Sequence, residues 1–138
     1  MNEVRTSLAF AKELAKHGYH VYSDIQYKYD IYTKEYKECH YTLEQCAYYE
    51  LCMNDTFVYV PIVYVPTIEH AYRWIIKKDP NWNIAILWNS NMKGYYFIVQ
   101  NIETGYEYIQ PAIPNETNRE MLYEWAMEHI LNRMNTNE

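Results

Sequence analysis

Apolar residues at Val4, Leu8, Ala11 and Ala15 recur three and four positions apart, with Leu14 widening the stripe. That period predicts an amphipathic helix over 4–17, and Gly18 stands where a left-handed C-terminal cap belongs. The period then shortens. The stretch YHVYSDIQYKYDIYTKEY, residues 19–36, carries six tyrosines. Ile25, Tyr27, Tyr29 and Ile31 alternate with Gln26, Lys28 and Asp30, as in a half-buried strand over 21–32. A helical seam through Tyr22, Ile25, Tyr29, Tyr32 and Tyr36 is the competing pattern; tyrosine's preference for pleated surfaces favours the strand. On that reading Tyr27 and Tyr29 are buried, while Tyr32 and Tyr36 face solvent.

Thr42-Leu43-Glu44-Gln45 has the form of a capping box and predicts a helix over 43–53. Residues 57–65, FVYVPIVYV, are rich in strand formers, but Pro61 lacks a donor, so an edge strand or two short pieces are expected. Thr67 opens a further helix with Ile68, Ala71, Tyr72 and Ile75 on its stripe. Trp74 lies off that stripe, which suits a second buried face or a partner contact. Strands follow over 83–88, 95–100 and 106–110, the last two joined by NIETG, with Gly105 free to take a positive φ. Closing that loop pairs Gln100 with Tyr106 and Ile98 with Tyr108. Another capping box, Thr117 to Glu120, starts a last helix with Leu122, Trp125, Ala126 and Ile130 inward. The pattern is that of one α+β domain over 1–138: a mostly antiparallel sheet ending in a three-strand meander, packed by about four helices.

In this register Leu87, Tyr96, Ile98, Tyr106 and Tyr108 share one face, and Phe97 and Val99 share the other. Both faces are then apolar, whereas an antiparallel sheet in water ordinarily leaves one face polar. A cover is expected: the N-terminal helix, a second copy of the chain, or a target. With Trp74, Tyr32 and Tyr36, these five residues are the candidate binding set.

Composition narrows the chemistry. The net charge is −6, against the basic stripe expected of a phosphate-backbone binder, so direct nucleic-acid binding is not expected. No apolar run is long enough to cross a membrane, and the acids near the N-terminus suit an amphipathic helix, not a signal peptide. Three cysteines, Cys39, Cys46 and Cys52, without a secretion signal point to reduced thiols and a cytoplasmic setting. Three widely spaced glycines exclude a phosphate-binding loop, a dinucleotide fingerprint and a nucleophile elbow. No cofactor is expected.

Two constellations invite a catalytic or metal reading. Cys39, His40, Cys46 and Cys52 are the ligand types of zinc, but their spacing does not let one turn present two thiolates, so buried thiols are expected and no metal. Asp24 with Glu35-Tyr36-Lys37 matches an aspartate on one strand and a glutamate-x-lysine on the next, the arrangement of one class of metal-dependent nuclease. That arrangement requires a turn between Asp24 and Glu35, and the segment holds no glycine or proline to make one.

The run Leu8 to Tyr19, then Val65 to Trp74 and Gly94 to Val99, resembles small phage and prophage proteins of gut bacteria. Those share a lysine-glutamate-leucine helix end before a glycine-aromatic pair, and a helix opened by proline with alanine and tryptophan at fixed offsets. Here Ala15 and His17 interrupt the first pattern; Pro66, Ala71 and Trp74 keep the second. The resemblance implies a viral accessory protein and carries over no catalytic residue. Seventeen tyrosines and four tryptophans suit a surface that binds yet remains hydrated. The expected function is a non-catalytic phage protein, possible as a homodimer, that binds and inhibits a host protein such as a CRISPR or other defence nuclease. The alternative is a small-molecule binder that sequesters a nucleotide defence signal, with Lys28, Arg73 or Lys77 meeting phosphate. A nuclease using Asp24, Glu35 and Lys37 comes third.

Overall fold

The computed structural model describes residues 4–30, 32–46 and 62–136, which form an α+β arrangement with two antiparallel sheets of three strands each. Contacts group the chain into two compact units, Arg5–Thr67 and Ile68–Glu138 with Met1–Val4.

In the first unit, helix α1 (Leu8–Lys16) starts at Ser7, whose Oγ accepts from the Phe10 N–H at 3.2 Å. The expected start at residue 4 is too early: Arg5 is extended and bridges Thr67, and Thr6 donates its N–H to the Pro66 carbonyl. Gly18 (φ +93°) closes the helix as expected, with its N–H on Ala15 O and that of Tyr19 on Leu14 O. That double bond is the Schellman cap, for which a glycine suits the left-handed site. The sheet runs in the order β2 (Glu35–Cys39), β1 (Gln26–Asp30), β3 (Ile62–Tyr64), with β3 on an edge. Ala11 of the helix packs with Val63 and Val65, and Leu8, Ile25, Tyr27 and Tyr36 close around them.

The tyrosine stretch is thus two strands, shorter than the one expected, and not a helix. Tyr29 pairs with Tyr36 and the rings meet edge to face at 5.1 Å. Tyr36 is therefore half-buried, with the Lys12 ammonium 4.3 Å from its ring centre, and not solvent-facing as expected. Tyr32, at 90% exposure, is solvent-facing. Gln26, expected on the polar face, is fully buried. Beyond β2, Thr42 and Gln45 form the expected capping box: each backbone N–H donates to the other's side chain, at 2.9 and 3.2 Å. Residues 43–46 are helical; the rest of that predicted helix, the first part of the 57–65 strand, Ile31 and Cys52 lie outside the described residues.

In the second unit, α2 (Ile68–Lys78) is followed by the meander β4 (Trp82–Asn89), β5 (Gly94–Asn101), β6 (Glu107–Gln110) and by α3 (Arg119–Thr136). Helix α3 packs on β4 and β5 and against α2. Phe97, Val99, Leu122, Ala126, Met127, Ile130 and Leu131 are buried. Trp125, expected in this core, is 39% exposed, because the inward stripe of α3 runs through Met127 and Leu131 instead. The cap of α3 is Asn118, one residue later than expected, its Oδ1 accepting from the Met121 N–H at 3.0 Å.

One device closes all three hairpins among the described residues. Asp30, Asn89 and Asn101 each end a strand, and each side-chain Oδ1 accepts from the backbone N–H groups two and three residues on, at 2.8–3.3 Å. Four residues after each comes a positive φ: Lys34 at 59°, Lys93 at 54° and Gly105 at 75°. The next residue pairs back with the acid or amide, as Asp30 with Glu35 and Asn89 with Gly94. At the third hairpin the N–H of Asn101 reaches Tyr106 O at 2.9 Å.

Asn101 therefore belongs to the ladder and not to the loop. Gln100 pairs with Glu107, Val99 with Tyr108 and Ile98 with Ile109, one position away from the register expected. The β4–β5 pairing is the expected one, with Ala85 beside Ile98 and Ile86 beside Phe97.

Candidate functional site

A one-residue change of register moves every side chain of a strand to the opposite face. Tyr106 and Tyr108 consequently share the helix-covered face with Phe97 and Val99, apart from Leu87, Tyr96 and Ile98. On that covered side His129 of α3 stacks on Tyr108 with ring centres 4.2 Å apart. The Tyr106 hydroxyl and His129 Nε2 are hydrogen-bonded at 2.7 Å. The Arg133 guanidinium lies 4.0 Å over the Tyr106 ring, and Trp82 meets the same ring edge-on at 6.0 Å. Burial pushes the His129 imidazole below its ordinary pKa, and the Arg133 charge adds to the effect. A neutral His129 accepting the Tyr106 proton fits that environment; the cluster fastens β6 to α3.

The other face of the meander is built by side chains of alternate residues. Ala85, Ile98 and Ile109 form a row across β4, β5 and β6, with Leu87 and Tyr96 in the next row. Leu87 is 39% and Ile109 50% exposed, and Ala85, Tyr96 and Ile98 are half-buried. Asn83, Gln100 and Glu107 form the polar row beside them, the Gln100 amide donating to the Glu107 carboxylate at 2.9 Å. Within this unit α3 lies on the opposite side, against Phe97 and Val99. The result is an apolar surface three strands wide with a polar margin.

Trp74 is half-buried on α2, with the Lys78 ammonium 4.5 Å from its ring centre. Tyr32 projects from the first hairpin, and Tyr36 belongs to the packing under α1.

The catalytic readings fare differently. The turn between Asp24 and Glu35 is made, without glycine or proline, by Asp30 and Lys34. Yet Asp24 precedes β1 and is held by Arg5 at 2.7 Å, whereas Glu35 pairs with Asp30 at the far end of the same strand. At about 3.3 Å per residue, β1 alone spans roughly 13 Å, so carboxylates at its two ends are too far apart to share one metal ion. Lys37 is engaged by Asp30 at 3.3 Å. Among the described residues no group of three histidine, cysteine or carboxylate side chains is placed to hold a metal. Cys39 and Cys46 are free thiols; burial, then the neighbouring Cys46, push the Cys39 thiol above its ordinary range. Of the phosphate candidates, Lys28 belongs to the first unit, and Arg73 is paired with Glu69 at 2.6 Å on the second.

Comparison with protein-family models, with curated proteins and with solved structures finds no match. No described helix is long and apolar enough to cross a membrane.

Proposed function

We propose that this chain is a non-catalytic binding protein that blocks a protein partner by laying the Ala85, Leu87, Tyr96, Ile98 and Ile109 face against an apolar patch on it. The observation that carries the reading is the exposure of Leu87 and Ile109 on one face of a three-stranded sheet, since exposed apolar patches mark interaction sites. A tyrosine within an aliphatic row, rimmed by amides and one carboxylate, gives a binding surface its usual pattern of apolar centre and polar margin. The net charge of −6 favours a partner with basic surroundings, by steering the encounter. The likeness to phage accessory proteins makes a host protein, such as a defence nuclease, the class of target. Leu87→Asp combined with Ile109→Asp tests the reading. Both positions are exposed, so circular dichroism is expected to stay native while a partner captured by the wild-type chain from host lysate is lost. Undiminished capture by the folded double variant overturns the proposal. So does wild-type protein that retains only material absorbing near 260 nm.

A further inference from the structure

The outer edge of β4 has a phase that the hydrogen bonds reveal. Ile102 donates its N–H to Asn81 O at 2.9 Å, so 81 and 102 form a hydrogen-bonded pair just beyond the ends of β4 and β5. Antiparallel ladders alternate such pairs with open ones, so odd-numbered residues of β4 turn their N–H and C=O groups toward β5. Ile84, Ile86 and Trp88 turn theirs outward. Among the described residues β4 is a sheet edge, so no described strand receives these groups. The edge also lacks the usual protection against pairing, because from Trp82 to Met92 no residue is charged and none is proline.

We propose that this edge pairs antiparallel with the β4 edge of a second copy of the chain, about a two-fold axis perpendicular to the sheet. The β4–β5–β6 sheets of the two copies then become one. Charge selects the occupant. A basic segment finds no counter-charge on this strip, although the chain as a whole is acidic, and a second copy brings an equally uncharged edge. Register selects the axis. In an antiparallel pair the closest side chains are those of open pairs, with Cα atoms about 4.5 Å apart. Ala85, the smallest side chain of β4, occupies such a pair and fits on the axis. Ile84 then exchanges hydrogen bonds with Ile86 of the second copy. The row Ile109, Ile98, Ala85 continues without a step into the same row of that copy, so the exposed apolar surface doubles in width. This inference does not depend on the identity of the partner proposed above, and capture of that partner is a separate readout.

Amide exchange of the wild-type chain, followed residue by residue alongside its mass by light scattering over a dilution series, tests it. The expected result is a dimer in which the amides of Ile84, Ile86 and Trp88 are protected and lose that protection on dilution. Ala85→Lys brings two ammonium groups together at the axis. It is expected to give a folded monomer with these three amides exchanging freely. Ile86→Pro removes one outward donor without touching the ladder to β5, a position where an edge strand tolerates proline. It is expected to be monomeric as well. A chain monomeric at every concentration overturns the proposal, as does a dimer whose three amides exchange like loop amides. Folded variants that still dimerise also overturn it. Should both variants fail to fold, the wild-type exchange pattern alone decides between these outcomes.

Discussion

Gln26 illustrates how far one side chain can depart from its sequence pattern. Alternation places it on the polar side of β1, yet it is fully buried. Its amide nitrogen donates to the carbonyls of Ser23 and Tyr41, and its Oε1 accepts from the Tyr41 N–H at 2.8 Å. The side chain thus satisfies backbone groups on both flanks of the hairpin, and a period-two pattern carries no trace of that demand. Gln26→Leu keeps the volume and removes these bonds, and the buried Ser23 carbonyl left without that donor costs about 1–3 kcal/mol. A loss of about 2–3 kcal/mol in urea unfolding is expected; a change below about 0.5 kcal/mol, typical of surface sites, refutes the role. Gly94 makes a different demand. A Cβ there would fall on the carbonyl oxygen of Ile113, because the chain after β6 returns against β5 through the Tyr95 N–H to Glu116 O bond at 2.9 Å. Gly94→Ala is expected to cost about 2 kcal/mol by overpacking, measured the same way.

The hairpins decide how much of the architecture could be read in advance. Helix α1 with its glycine cap, the Thr42 capping box, α2 and the β4–β5 register all follow from period and cap chemistry. The first hairpin does not, because it turns without glycine or proline, and the β5–β6 register does not, because Asn101 of the NIETG run belongs to the ladder and not to the loop. The operative signal is an Asp or Asn followed four positions later by a residue that tolerates the left-handed region, and lysine fills that place twice. Once the third turn is read this way, Tyr106 and Tyr108 leave the exposed face and Ile109 joins it, so the candidate surface was legible only in its β4 and β5 parts. Trp125 was misplaced for a related reason: in α3 the stripe through Met127 and Leu131 competes with one through Trp125, and sequence alone ranks tryptophan above methionine. A left-handed lysine is strained by about 1–2 kcal/mol relative to glycine, offset in part by glycine's greater loss of entropy on folding. Lys34→Gly and Lys93→Gly are each expected to raise stability by about 0.5–1 kcal/mol. Asp30→Ala is expected to lower it through loss of the two turn bonds, read as a lower urea midpoint. A destabilised Lys34→Gly variant would show that the lysine side chain, not its backbone, secures the turn.

Acid should act on the two units in separate pH ranges, through one shifted group in each. All four tryptophans, Trp74, Trp82, Trp88 and Trp125, belong to the unit that begins at Ile68, so their fluorescence reports that unit alone. There His129 has its pKa lowered by burial and then by Arg133. The unfolded chain, with an imidazole near its ordinary value of about 6.5, takes up a proton before the folded chain does. Stability is therefore complete above that value and falls as the pH drops through it toward the lower folded pKa. In the unit that begins at Arg5, Asp30 has its pKa lowered by the Tyr32 and Thr33 backbone bonds, with Lys37 adding to them. Its contribution is complete above the ordinary aspartate value of about 3.9 and is lost only as the pH falls from there through the folded value. Urea titrations followed by tryptophan emission should accordingly show a midpoint that declines from pH 7 to pH 5.5. His129→Phe keeps the stack on Tyr108 and removes the titrating group, and is expected to flatten that decline. The amide signals of Tyr32 and Thr33 should hold their positions over the same range and shift only below about pH 4, where the Asp30 carboxylate that accepts from them takes up its proton. A decline as steep in His129→Phe as in the wild type would assign the acid sensitivity to another group, and an early shift of the Tyr32 amide would remove Asp30 from the turn.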